Sequence, residues 1–428
     1  MSTQALAPVQ QEPSAVVVPP RSWKAPIAFT VLGLVSLVFF GILGPSGETS
    51  TFGISTPGDA VQIDPVGLPS QPVAIALSLV CLAIAAYSFL LVRARRAVPI
   101  WMTVTFAVAF VLAFLVWAVA GEQISFTGLL QGALALSVPL VFGALSGVLC
   151  ERAGVINIAI EGQLLAGAFL SAVVASLTGS LLAGLVAAVV AGLLVAVVLA
   201  VFAITYIVNQ IIVGVVLNVL VLGATNFLYG QLLAPEADTW NSPGKLPRLA
   251  IPLLSDIPVI GPVLFNQTII VYVMYATVIL IQIALFRTRW GLRVRSVGEH
   301  PKAADTLGIR VNSIRFRNVL LGGMVAGFGG AFFTLGNVGA FNKEMSAGQG
   351  FIALAAMIFG RWSPVGALGA ALLFGFANNL QSVLGIVGTP IPSQFMLMLP
   401  YVLTIFAVAG LVGRVRAPAA DGIPYVKS

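Results

Sequence analysis

The sequence predicts an all-α, polytopic transmembrane helix bundle with about 11–12 membrane segments, one of them short or re-entrant. Three observations carry that prediction. Of 428 residues, 59% are hydrophobic and only 8% are charged, a membrane composition rather than that of a soluble domain with a large core. The apolar residues fall into runs of about 20, the length a helix needs to cross a bilayer. The basic residues sit between those runs, and nearly all of them fall on one side.

Residues 1–24 open the chain as an expected disordered cytoplasmic tail, rich in Pro, Gln, Ser and Val and without apolar period. Arg21 and Lys24 precede the first run, 25–43. It reads as a retained helix, because no convincing small-residue cleavage site follows. Further full-length spans are expected at 73–92, 99–120, 128–150, 162–178, 181–204, 206–230, 268–286, 318–338, 364–386 and 394–412. The run 350–360 is too short to span comfortably; it reads as a re-entrant half-helix or a tilted span among neighbours. These elements divide into N-terminal helices (25–127), a larger bundle (128–412) and a cytoplasmic tail (413–428).

Charge sets the expected orientation. Counting 350–360 as one crossing places Arg21, Lys24, Arg93, Arg95, Arg96, Arg152, the loop 287–317, Arg361, Arg414 and Arg416 on the cytoplasmic side, with both termini. The opposite loops hold Glu48, Asp59, Asp64, Glu122, Glu236, Asp238 and Asp256 and few basic residues. Two of them, 44–72 and 231–267, are long, punctuated by Pro and Gly, and acidic on balance. The second carries Trp240 and the apolar, proline-containing run 251–265. It reads either as an interfacial lid on the headgroups or as a docking segment.

Several function classes are disfavoured. The net charge of +7 is explained by topology, so no nucleic-acid partner is expected; the partner surface is a lipid bilayer. Cys81 and Cys150 lie in or at the end of apolar runs and suggest neither a disulfide framework nor a metal site. No cofactor and no metal are expected. Gly244-Lys245 is the only Gly-Lys pair, and it lacks the upstream Gly and the following Ser or Thr of a phosphate-binding loop. With one histidine and no intramembrane His–Asp, Ser–Lys or paired-Asp set, the chain does not read as an enzyme.

Polar residues inside apolar sequence are the candidate site. Asn157 and Glu161 are spaced i, i+4 in ERAGVINIAIEG (151–162) and would share a face if helical. They read as lining a translocation path or holding a broken helix there, or as interfacial groups near the cytoplasm. The next candidates, Gln210 and Asn218, are close in phase, whereas Asn209 is half a turn away from Asn218. Pore lining and interhelical hydrogen bonding both remain open for them. Asn378, Asn379, Gln381 and Ser382 form a denser cluster, with Asn378, Gln381 and Ser382 at i, i+3, i+4. Uncharged amides suit a neutral, hydrogen-bonding solute, or glue between helices. Gly322, Gly323, Gly327, Gly329 and Gly330 thin one helix for close packing.

The loop 287–317 does not belong in a membrane. It carries seven Arg and one Lys against Glu299 and Asp305. A short helix, 302–309, is expected in it, opened by Pro301 and closed by Gly308. Such a segment suits a grip by something on the cytoplasmic side, as in a transport subunit driven by a separate motor.

Three stretches carry a family resemblance: SVPLVFGALSGVLCERAGVINIAIEGQLLAGAF (137–169), VGEHPKAADTLGI (297–309) and GFIALAAMIFGRWSPVGALGAALLFGFANNLQ (350–381). Together they resemble the permeases of bacterial ABC importers for nucleosides, within the branched-chain amino acid, ribose and simple-sugar permease family. The resemblance covers about 128–412. It implies a permease in the cytoplasmic membrane, paired with a second and related permease chain, an ABC ATPase and an extracytoplasmic substrate-binding lipoprotein. By that likeness Glu299, His300, Ala303, Ala304 and Gly308 fall on the helix that couples to the ATPase, His300 standing where the family more often shows Asn. The form NIAIEG favours nucleosides over ribose-type solutes. A permease for a simple sugar such as ribose, an ion-coupled secondary transporter with Glu161 near the cytoplasmic side, and a channel or scaffold are the alternatives.

Overall fold

A computed structural model describes residues 22–56, 61–387, 394, 398 and 416–427. Ten helices are long and apolar enough to cross a membrane: α1 (Lys24–Ile42), α2 (Ser70–Arg93), α3 (Ile100–Ala118), α4 (Phe126–Glu151), α5 (Ile160–Thr178), α6 (Leu181–Thr205), α7 (Gln210–Leu233), α8 (Ile269–Arg287), α11 (Val311–Val338) and α13 (Pro364–Val387). Three shorter helices are α9 (Arg289–Glu299), α10 (Pro301–Thr306) and α12 (Gln349–Phe359), and two single turns, Ala237–Trp240 and Gly261–Phe265, lie in the loop 231–267. The chain is a multi-pass, all-α membrane protein. The expected span 394–412 lies outside the described residues apart from Gln394 and Met398, as does most of the N-terminal tail.

The described residues fall into two compact units. One is formed by α1, α2 and α3, within Met1–Ser50 and Leu68–Gly121. Small residues bring α1 onto α2: a Cβ on Gly33 would meet Leu82, and one on Gly41 would meet Ile75. Aromatic contacts join α1 to α3, with Phe29 stacked on Phe106 at 4.4 Å and Phe40 against Phe110, Phe114 and Trp117. The buried hydroxyls of Ser36 and Ser78 satisfy one another at 2.7 Å.

The second unit holds α4 to α13 and the carboxy-terminal segment 416–427. Strand Gln123–Ser125 leads into α4 and pairs in parallel with Thr51–Gly53, in the register Phe52 to Ile124. From Val138 to Cys150, α4 is buried on every face. It packs against α11, α12 and α13, so it is the axis of the core. The glycine stripe of α11 is a packing device on all sides. A Cβ on Gly322 would lie 2.5 Å from the Cys150 sulfur. Cβ atoms on Gly323 and Gly327 would strike α6 at Ala196 and Ala188, and one on Gly330 would strike Leu164 of α5.

The two ends of this unit differ. At one end the basic residues meet: the Arg152 Nε and Nη2 donate to the Trp362 and Arg361 carbonyls at 2.9 and 3.2 Å. The Arg152 guanidinium also lies 5.5 Å from the Phe286 ring, at the end of α8. At the other end the loop 231–267 is folded down onto the helices. The Gln131 Nε2 donates to the Pro262 carbonyl at 3.1 Å, Asn241 exchanges two hydrogen bonds with the Phe341 backbone, and the Leu246 N–H donates to the Leu335 carbonyl at 2.8 Å. Strand Arg248–Ala250 pairs antiparallel with Asn266–Thr268 within it.

Candidate functional site

The chain between α4 and α5 is a broken helix. Residues 152–159 leave helical geometry after Arg152 and resume it at Ile160. The break lies inside the bundle: Ile160 packs on Gly143. Gly143 is eight residues from the end of α4, or about 12 Å at 1.5 Å per residue. A break at that depth exposes backbone polar groups that must find partners inside the protein.

Two side chains from α7 supply them. The Ile156 N–H donates to Gln210 Oε1 at 2.8 Å. The Asn218 Oδ1 accepts from the Gly162 N–H at 2.8 Å, and its Nδ2 donates to the Ile158 carbonyl at 2.8 Å. Both side chains are buried. Asn209, counted within a span by its sequence surroundings, instead caps α7: its Oδ1 accepts from the Ile211 and Ile212 N–H groups. The helix therefore starts at Gln210.

Asn157 and Glu161 do not share a helical face, because Asn157 lies in the break. Asn157 points into a buried polar cluster, its Nδ2 donating to Ser146 Oγ at 3.1 Å and to Gln163 Oε1 at 3.0 Å. Glu161 points the other way, toward α12. Its Oε1 accepts from the Ser346 hydroxyl at 2.7 Å and the Gly348 N–H at 2.8 Å; its Oε2 accepts from the Gly350 N–H at 2.6 Å. Helix α12 has 11 residues, about 16 Å, and cannot cross a bilayer core of about 30 Å. It begins inside the bundle with its free amides aimed at Glu161. A carboxylate there satisfies orphan donors and meets the positive end of the helix. Gly350 is required by proximity, since a Cβ would stand 2.5 Å from the Glu161 backbone; Gly348 supplies a left-handed turn at φ 79°.

Four of the expected site residues thus converge on two broken elements, the 152–159 crossover and the start of α12. The amides of α13 do not join them. The Asn379 Nδ2 donates to the Leu129 carbonyl at 2.7 Å. Leu129 and Ser146 are 17 residues apart on α4, about 25 Å. Asn378 and Gln381 are half-buried near the same end. Sequence reasoning missed Ser346, Gly348, Gln163 and Ser146; the one signal was Gly348-Gln349-Gly350 before a short apolar run.

The expected coupling residues lie on the hairpin of α9 and α10. His300, in extended conformation between them, and Pro301 at the first position of α10 make the corner. Gly308 closes it at φ 80°. Glu299, His300, Ala303 and Gly308 are exposed. Ala304 is not: it is 2% exposed and packs with Val297, Val311 and Tyr425. Its part is to seat the hairpin. Leu307, 81% exposed, is the most exposed apolar side chain of the hairpin, with Leu292 of α9 exposed as well. Beside it is a groove of about 770 Å³ lined by Leu292, Arg293, Ile309, Arg310 and Arg317. Under the hairpin, burial lowers the Arg152 pKa from its ordinary value, with Glu299 opposing. Among the described residues no cluster of three or more His, Cys, Asp or Glu is arranged to hold a metal ion.

Comparison with known proteins places this architecture. Residues 128–408 match the family described as the branched-chain amino acid transport system / permease component. The guanosine ABC transporter permease protein NupQ of Bacillus subtilis (strain 168) is 42% identical over 308 residues, covering 69% of this chain and 95% of NupQ. The nucleoside ABC transporter permease protein NupC of Lactococcus lactis subsp. cremoris (strain MG1363) is 40% identical over 311 residues, with 69% and 95% covered. Its namesake NupB from the same organism is 23% identical over 295 residues, with 67% and 80% covered. No solved structure matches the chain at a significant level. The chain belongs to the family of branched-chain amino acid transport system permease components.

Proposed function

We propose that this chain is the transmembrane permease subunit of an ATP-driven importer for nucleosides. The observation that carries the reading is its similarity, at 42% and 40% identity over 95% of their length, to NupQ and NupC. The site agrees with a neutral solute. The buried side chains that hold the crossover to α5 and α7, Ser146, Asn157, Gln163, Gln210 and Asn218, are amides and hydroxyls. The buried charges Glu151 and Arg315 lie where the carboxy-terminal segment packs, and the Glu161 carboxylate is occupied by three donors of its own chain. An uncharged solute with hydroxyls and ring nitrogens needs donors and acceptors, not a counter-ion.

The reading implies partners. Hydrolysis belongs to an ABC ATPase docked on the α9–α10 hairpin, where Glu299, His300, Ala303 and Gly308 are exposed and Ala304 seats the helix from beneath. The organism of NupC also has NupB, similar to this chain at lower identity, which favours pairing with a different but related permease. A binding lipoprotein delivers solute at the end covered by 231–267. The hairpin end faces the cytoplasm of a bacterial cytoplasmic membrane, with both chain termini on that side. Asn157, Glu161, Gln210 and Asn218 form the framework of the path near the hairpin end, and Asn378, Asn379 and Gln381 stand toward the entry end.

Competition decides the solute. In vesicles bearing the complete importer, ATP-driven uptake of labelled nucleoside is expected to be blocked by excess unlabelled nucleosides and unaffected by branched-chain amino acids. The reverse ranking removes the nucleoside assignment and leaves the permease reading in place.

A further inference from the structure

The segment 416–427 lies beyond the family match, which ends at residue 408, yet it is built into the second unit. The Ala420 N–H donates to the Gly298 carbonyl at 2.8 Å, and the Ala419 N–H donates to the Glu299 carboxylate at 3.2 Å. Both partners close α9, at the root of the hairpin. Tyr425, 9% exposed, packs with Val297 and with Ala304, beneath the hairpin's exposed face.

The same twelve residues grip the crossover side. Arg315 of α11 is 2% exposed, and its Nη1 and Nη2 donate to the Ile423 and Ala420 carbonyls at 2.7 and 3.5 Å. A buried guanidinium needs such acceptors, so one of the most costly groups in the core is spent on holding this segment. Asp421 faces the Glu151 carboxyl at the end of α4. Gly422 lies on Ile156, where a Cβ would come within 2.6 Å of the Ile156 Cδ1. Gly154, in the crossover at φ 86°, leaves room for both Arg315 and Ala420: a Cβ there would stand 2.8 Å from Arg315 Nη2 and 3.0 Å from the Ala420 carbonyl.

We propose that residues 416–427 are a coupling strap, which makes the α9–α10 hairpin and the 152–159 crossover move as one body during transport. On the permease reading the hairpin meets the ATPase; the crossover, held by Gln210 and Asn218, leads into α5, which bears Glu161. A displacement of the hairpin is transmitted at Gly298 and Glu299 to the strap, and from Ala420, Gly422 and Ile423 to Gly154, Ile156 and Arg315. Within the strap, Asp421 and Tyr425 are positioning residues.

The strap rests on the permease reading, and its test separates the two. In the complete importer with its partner subunits, removal of 417–428 is expected to lower uptake per ATP hydrolysed by about tenfold. ATP hydrolysis and the amount of assembled complex stay within about twofold. A merely structural segment would lower hydrolysis and uptake together in the complex that does assemble, and that result, or unchanged uptake per ATP, overturns the strap. Where the truncated chain does not assemble, Tyr425→Ala carries the same measurement, and the same results support or overturn the strap. If the unaltered importer shows no ATP-driven uptake, the permease reading fails, and amide hydrogen exchange decides the strap. Loss of protection at both 298–309 and 153–159 in the truncated chain supports it; loss at one alone overturns it.

Discussion

Glu161 and Gly350 face each other across two broken elements: the Gly350 N–H, at the start of α12, donates to Glu161 Oε2 at 2.6 Å, in the first turn of α5. The bond closes a helix that begins inside the bundle. The Glu161 Oε1 takes two further donors, Ser346 and Gly348, so one half-buried side chain satisfies three donors at the start of α12.

Replacing that side chain separates charge from hydrogen bonding. Glu161→Gln keeps one acceptor oxygen and loses the charge–dipole attraction. It is expected to assemble and to transport several-fold more slowly. Glu161→Leu leaves the Ser346, Gly348 and Gly350 donors unpaired, at about 1–3 kcal/mol each, and is expected to lose uptake even where assembly is retained. Uptake rates normalised to the amount of complex test both. Full activity in the Leu variant would show that the clamp has no part in transport.

Asn218 makes a different prediction, about stability. It bridges the Ile158 carbonyl and the Gly162 N–H, on either side of the restart of α5. Asn218→Leu strands both at about 1–3 kcal/mol each, so the melting temperature in detergent is expected to fall by several degrees. Asn209→Ser, which keeps an oxygen to cap α7, is expected to leave it nearly unchanged.

The ten spans were legible because length and apolarity follow from the bilayer alone; α8, expected over 268–286, lies at Ile269–Arg287. The glycine stripe was legible for the same kind of reason: small residues on a membrane helix mean close backbones. The site was legible in part. Asn157, Glu161, Gln210 and Asn218 stood out because amides and carboxylates are costly in apolar sequence. Their spacing misled, because i, i+4 has meaning only within a helix and Asn157 sits where the helix has broken. What α12 does with Glu161 was not legible, since backbone amides carry no residue signature. Nor was the strap: 416–427 is too short and too mixed in composition to show that Arg315, 105 residues before Ala420, holds it.

Asp421 gives the strap a pH dependence. Burial raises its pKa from the ordinary 3.8 to about 6, while the neighbouring Glu151, the Gly422 backbone and Arg315 pull it down. The docked segment therefore holds a proton that the released segment gives up between those two values. Docking weakens as pH rises through that window, and its acid-side advantage is gone above about 6. The facing groups are Glu151 from α4 and Arg315 from α11, with Glu299 at the adjoining Ala419. Hydrogen exchange of 416–427 is expected to be slower at about pH 5 than at about pH 7.5 after correction for intrinsic rates. Asp421→Asn, which cannot ionise, is expected to reduce the difference and to raise protection at the higher pH. A pH response undiminished in the Asn variant would place the titrating group elsewhere.

The hairpin offers a paired test of what docks and what supports. Leu307 is exposed and apolar, beside the basic groove that Arg293, Arg310 and Arg317 line. Leu307→Arg adds charge to solvent and is expected to change folding stability by no more than about 0.5 kcal/mol. It adds like charge and removes an apolar contact where the ATPase is expected to seat. Ala304→Arg forces a guanidinium into the space packed by Val297, Val311 and Tyr425, and costs several kcal/mol. The two variants should fail differently. Leu307→Arg is expected to accumulate normally, melt normally and lose about tenfold in ATPase retention on co-purification. Ala304→Arg is expected to lose protection from exchange across 297–311 before any partner is added. Normal ATPase retention and normal uptake in Leu307→Arg would move the docking surface off this end of the hairpin, toward His300 and Ala303.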